Sequence, residues 1–364
     1  MCAGRHSPGD QEKRIGEQRL RAAWGQYWAK AVIVVAAAVL AASALSAGPT
    51  WAQTKPEAPV KRKTSDTKAP PKKAITLKQD FTTLASFATA PFPYDGVVPT
   101  TGKAFLDVEE NERRGHRGSR GQIYWADETY DDNRVLLHLP KGFSVQKPGM
   151  IVVFFHGHGA TLERDVLRRQ QVAAQISRAG VNAALVAPQF ARDAADSSAG
   201  KFWEPGKFLW FMEETAQQLA KLYGDTHAAR HFAKMPIVFV AYSGGYLPAA
   251  FAIQNGGIAK RVRAVLLLDA LYGDLDKYTN WILRHRSGVF VSAFTHHTAE
   301  RNADLQKVLK DRNILFETEI KKPLLPGTLA FVQTGPEILH RDYVTEAWAS
   351  QPVRDFLKAL TLKQ

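Results

Sequence analysis

Residues 236–246 read Pro236-Ile-Val-Phe-Val-Ala-Tyr-Ser-Gly-Gly-Tyr246, an apolar run that stops on a serine set between a small residue and a glycine pair. A run of this length, rich in β-branched and aromatic residues and bounded by Pro and Gly, reads as a buried strand. The segment after it, Leu247–Asn255, has helical spacing. A strand that turns sharply into a helix brings neighbouring main chain close, so the positions flanking the serine must be small, and Ala241 and Gly245 meet that demand. Ser243 is then exposed at the sheet edge. A hydroxyl is a weak nucleophile until an adjacent base accepts its proton, so the pattern calls for a histidine and an acid elsewhere in the chain.

Outward from this stretch, apolar runs alternate with amphipathic ones, which predicts strands and helices in a mostly parallel sheet. Strands are expected near 121–125, 134–139, 150–155, 183–187, 237–241, 264–268, 288–293 and 328–334. Helices are expected at 162–179, 208–223, 247–255, 275–285, 299–312 and 345–360, with 314–320 as an additional edge strand. The strand ending at Phe155 runs into His156-Gly-His-Gly159. Asp269 stops the run Ala264-Val-Leu-Leu-Leu-Asp269, where a carboxylate directly after three leucines is costly without a partner. His340 follows the last strand.

A strand ending in His-Gly-His-Gly, then an elbow serine, an aspartate and a late histidine resembles, over about residues 121–360, the α/β-hydrolase superfamily. The resemblance implies a doubly wound, mostly parallel eight-stranded sheet with helices on both faces and a site at the carboxyl ends of the strands. It also implies Ser243 as nucleophile, although Ala241 stands where the family usually has the first glycine of G-x-S-x-G. His340 occupies the base position, with His296 and His297 as rivals. The common acid position, after the seventh strand, offers only Glu300, whereas Asp269 matches the sixth-strand acid of some lipases in the superfamily. Oxyanion donors are expected from the main chain of Gly244 and of Gly157, His158 or Gly159, and His156 is read as holding the loop. Tyr242, Phe202, Trp203 and His296 are candidate pocket residues. Only about twenty residues separate Asp269 from the next strand, so no large lid is expected there.

The N-terminal part has a different character. Ala31–Ala47 is apolar and uncharged, has Arg19, Arg21 and Lys30 before it, and is followed by Thr50 and Ala52 at the spacing that a signal peptidase reads. Residues 1–52 are therefore expected to be a signal peptide cleaved after Ala52, or else a membrane anchor. Residues 53–80, rich in Lys, Pro and Thr, are expected to be a disordered basic linker with transient contact to an anionic envelope surface. Residues 81–120 are expected to be a lead-in and 121–364 the catalytic domain. The single cysteine, Cys2, precedes the cleavage point, which excludes a thiol nucleophile or thiolate metal site from the exported product. Of the net charge of +13, residues 1–80 carry +8 and residues 81–364 carry +5, so most of the basicity belongs to the tail and gives no reason to expect nucleic-acid binding.

The sequence thus predicts an exported, monomeric or weakly associating serine hydrolase cleaving an ester, or less readily an amide, of a small-molecule or envelope-derived acyl or peptidyl substrate, with no cofactor and no metal. An acyltransferase on the same residues, or a non-catalytic envelope-binding protein on the same fold, are the alternatives.

Overall fold

The computed structural model describes residues 75–362. The apolar segment 31–47, the cleavage point and most of the basic linker lie outside these residues. Among the described residues, no helix is long and apolar enough to cross a membrane.

In chain order the strands are β1 (Phe81–Ser86), β2 (Val108–Glu110), β3 (Arg113–Arg117), β4 (Ile123–Trp125), β5 (Arg134–Leu139), β6 (Met150–Phe155), β7 (Ala183–Pro188), β8 (Ile237–Tyr242), β9 (Val262–Leu268), β10 (Val289–Phe294) and β11 (Leu329–Gln333). Eight form one sheet in the order β1-β5-β7-β6-β8-β9-β10-β11. β5 runs antiparallel to both β1 and β7, and the strands from β7 to β11 are mutually parallel. This is the α/β-hydrolase fold. The parallel strands are apolar along both faces because both faces are covered.

Alternate residues of β8 feed two cores, as the two-residue period of a strand requires. Ile237, Phe239 and Ala241 pack into one with residues of the helices Lys207–Tyr223, Tyr246–Asn255, Leu275–Arg284 and Ala299–Lys310. Val238, Val240 and Tyr242 pack into the other with Val172–Ala179 and Pro352–Ala359. Each fully buried Val, Ile or Phe contributes about 1.5–3 kcal/mol, so β8 is held from both sides at the point where it must present the serine.

Several expectations are corrected. The strand read at 121–125 belongs to a separate antiparallel sheet, β2-β3-β4, and the large sheet takes its outer strand, β1, from the stretch read as lead-in. Phe-Thr-Thr-Leu-Ala-Ser lacks the strict apolar/polar alternation that marks a strand, which hid that edge strand. The end of the stretch assigned to the linker is docked: Leu77 is buried, and its main chain bonds Phe143 and Gly142. The helix expected at 162–179 is two pieces, a π-helical turn Leu162–Arg169 and the helix Val172–Ala179, parted at Gln171 with φ +51°. The last helix begins at Pro352, since a proline fits the first turn but not the interior. Ile314–Ile320 contributes only one bridge, Glu317 to Ala330.

Candidate active site

Ser243 sits directly after β8, with φ +52°, and opens the helical segment that continues as Tyr246–Asn255. The tightness of this turn explains the glycines beside it. A Cβ on Gly245 would lie 2.2 Å from the Phe155 carbonyl oxygen, and one on Gly157 would lie 2.7 Å from Ser243 Cβ. Both distances are shorter than real Cβ contacts, so these positions cannot carry a side chain without main-chain movement.

Asp269 follows β9, the strand paired to β8, and also has positive φ, +45°. Its side chain is 0% exposed. Oδ1 accepts from the Thr295 N–H (3.0 Å) and the Thr298 hydroxyl (2.7 Å), and Oδ2 accepts from the Thr295 hydroxyl (2.7 Å). The fourth partner is His340 Nδ1, 2.6 Å from Oδ2. Burial raises the carboxyl's pKa, but the bonds from His340, Thr295 and Thr298 outweigh it and hold the group below the usual aspartate value. An ionised carboxylate only accepts, so Nδ1 of His340 carries the proton and donates it. Nε2 is left as an acceptor, 2.9 Å from Ser243 Oγ.

His340 reaches this position from the loop after β11, and its surroundings fix the ring. Tyr242 stacks on it at 5.3 Å between centroids, and the Tyr242 hydroxyl donates to the His340 carbonyl oxygen (3.0 Å). The rings of Tyr272 and His297 stand nearly perpendicular to that of His340, at 6.3 and 5.7 Å between centroids. Three segments far apart in sequence thus converge in a continuous hydrogen-bonded chain, Ser243 to His340 to Asp269. Glu300, the alternative acid, is exposed on the helix Ala299–Lys310.

Gly244 lies in the first helical turn after β8, where main-chain N–H groups have no partner within the helix. The loop after β6 runs alongside. His156 is buried, and its Nε2 accepts from the Phe190 N–H (2.9 Å), so Nδ1 carries the proton and donates to the Gly157 carbonyl (2.9 Å). Burial pushes its pKa down to about 4. It pins the loop, as expected. Gly159 is not an oxyanion donor, because its N–H is already given to the Ala194 carbonyl (2.8 Å). The positions left for the second donor are Gly157 and His158. The His158 ring contacts Ser197 Oγ (2.6 Å) and packs over Gly244.

A cleft of about 830 Å³ opens over Ser243. Trp203 and Tyr242 line it, as do Tyr246, Phe251 and Tyr272, which the sequence reading missed. Phe202 does not: it is fully buried against Phe208 and Phe211. His296 also lies outside the lining, exposed, with its ring tilted against that of His297. No lid follows β9. One lip of the cleft comes instead from the small sheet, through His116 on β3 and Ser119 and Arg120 in the turn to β4. Thr295 and Thr298 were also missed, although Thr-His-His-Thr immediately before a helix is a capping pattern that places hydroxyls at a strand's carboxyl end.

No family model matches the chain, and no curated protein matches it. Among solved structures it is similar to the feruloyl esterase module from Clostridium thermocellum, at 15% identity and a TM-score of 0.42, covering 74% of this chain and 95% of that one. It is similar to an S-formylglutathione hydrolase from Agrobacterium tumefaciens at 11% identity and a TM-score of 0.36, covering 62% and 89%. A third such structure is Thermogutta terrifontis esterase 2, at 12% identity and a TM-score of 0.32, covering 55% and 78%.

Proposed function

We propose that the chain is a serine hydrolase acting on carboxylic esters through an acyl-enzyme. The hydrogen-bonded chain from Ser243 through His340 to the fully buried Asp269 carries this reading. Ser243 Oγ attacks the acyl carbon while His340 Nε2 takes the hydroxyl proton. The oxyanion that forms is met by the Gly244 N–H and one N–H from the Gly157–His158 turn. As the tetrahedral species collapses, the C–O bond to the leaving alcohol breaks and His340 returns the proton to that oxygen. Water then repeats the sequence against the acyl carbon and regenerates the serine. Asp269 holds the productive tautomer throughout and stabilises the imidazolium. An exported location and an envelope-derived acyl substrate extend this reading; they rest on the sequence of residues 1–80 alone.

The test is labelling with a fluorophosphonate, read by mass spectrometry, alongside hydrolysis of p-nitrophenyl acetate. Modification should fall on Ser243 and vanish in Ser243→Ala and His340→Ala. A folded parent protein that neither labels nor turns over the ester would refute the proposal.

A further inference from the structure

A second concave surface lies at the other end of the sheet. The parallel strands run from it towards the serine, so about one strand length, roughly 20 Å for six residues, separates the two. This groove, of about 670 Å³, is built where β6, β7, β8 and β9 begin. Its lining contains Lys147, Lys234, Lys260, Arg261 and Arg263, together with His231, and no aspartate or glutamate. Among the described residues none of the five cations makes an ion pair, although many other surface cations do. Five formal charges on one lining equal in number the whole net charge of residues 81–364, with no carboxylate among them to offset it.

Two walls of the groove are fixed. Arg261 is half-buried and donates to the carbonyls of Met235 (3.1 Å from Nη2 and 3.3 Å from Nε) and Phe232 (3.3 Å), with no hydrogen bond from Nη1 among the described residues. Burial alone lowers its pKa, with no acidic neighbour acting in the other direction. On the facing wall, the Asn182 amide donates to the carbonyls of Ser144, Lys147 and Pro148 and so pins the loop that carries Lys147. Like charges held close on a concave surface repel one another, and a multiply charged anion relieves that repulsion.

We propose that this groove binds a ligand carrying clustered phosphate groups, away from the hydrolytic site. Lysines supply point charges and Arg261 supplies a pre-set guanidinium, a combination suited to phosphate oxygens. The ligand is either a soluble phosphorylated molecule or the headgroups of an anionic lipid surface, and the experiment separates them.

Full-length protein is titrated with inositol hexakisphosphate by calorimetry and co-sedimented with phosphatidylglycerol vesicles. The variant Lys147→Gln/Lys234→Gln/Lys260→Gln removes three exposed groove cations. A control, Arg301→Gln/Lys307→Gln/Lys321→Gln, removes the same formal charge from paired surface sites elsewhere. The groove variant should weaken binding at least tenfold and the control less than threefold, with ester turnover unchanged in both. Discrimination with the soluble probe alone assigns a soluble ligand, and discrimination with vesicles alone assigns lipid headgroups. Equal weakening by the two variants, or no binding of either probe by the parent, overturns the proposal. Because the readout is binding, it stands whether or not the hydrolytic reading does.

Discussion

Replacing Asp269 by asparagine tests the hydrogen-bond logic of the site most directly. All four bonds to the carboxylate come from donors, two on each oxygen. An amide has one oxygen and one NH2, so it cannot satisfy all four. If the NH2 takes the Oδ2 place, it faces His340 Nδ1, which must then accept. The imidazole proton moves to Nε2, which points at Ser243 Oγ and can no longer take its proton. If the NH2 takes the Oδ1 place instead, it confronts the Thr295 N–H, which cannot reverse, and a buried bond worth about 1–3 kcal/mol is lost. The Thr295 hydroxyl can rotate, so the first arrangement, with the unproductive tautomer, is the one adopted. Loss of the correct tautomer in a Ser-His-Asp arrangement costs on the order of 10⁴ in kcat, or about 5.5 kcal/mol of transition-state stabilisation. The assay is kcat/KM for p-nitrophenyl acetate, with circular dichroism to show that the variant is folded. A folded Asp269→Asn protein within tenfold of the parent would refute the assigned role of Asp269.

Three other outcomes are expected. The folded chain keeps His156 neutral down to about pH 4, whereas the unfolded chain protonates it from about pH 6.5. Its contribution is thus complete above about pH 6.5 and lost as pH falls to about 4, up to about 3 kcal/mol; urea unfolding at pH 7 and pH 4.5 should show this loss, and His156→Gln should reduce it. Gly245→Ala drives a methyl into the Phe155 and His156 carbonyls, so a cost of about 1–3 kcal/mol and a Tm lowered by roughly 3–10 °C should appear in calorimetry. Tyr242→Phe keeps the ring stack on His340 but removes the bond to its carbonyl, worth about 1 kcal/mol, so kcat should fall roughly three- to tenfold with KM nearly unchanged.

The central strands and the serine turn were legible because their signals are local: β8 is an apolar run with punctuation at both ends, and the turn demands small residues at fixed offsets. Asp269 was legible for a different reason, since a carboxylate ending a leucine run needs a partner wherever the chain folds. The misread positions depend on contacts distant in sequence. β1 pairs with β5 some fifty residues later, and its irregular, partly exposed pattern at a sheet edge looks like a loop. Phe202 and Trp203 are adjacent aromatics in one segment, yet only the second reaches the cleft, which local pattern does not reveal. Gly159 was a reasonable donor by composition, and only the position of Ala194 shows that its N–H is taken.

Ser243 and Asp269 both hold left-handed backbone, which glycine adopts at the least cost. Each carries a conformational cost of about 1–2 kcal/mol. The one residue type that would remove the cost has neither a hydroxyl nor a carboxylate, so greater rigidity at these points is accessible only by surrendering reactivity. Durability and chemistry are therefore opposed at two positions of the same constellation. The two apolar layers enclosing β8 and β9 supply the surplus that keeps both residues in place.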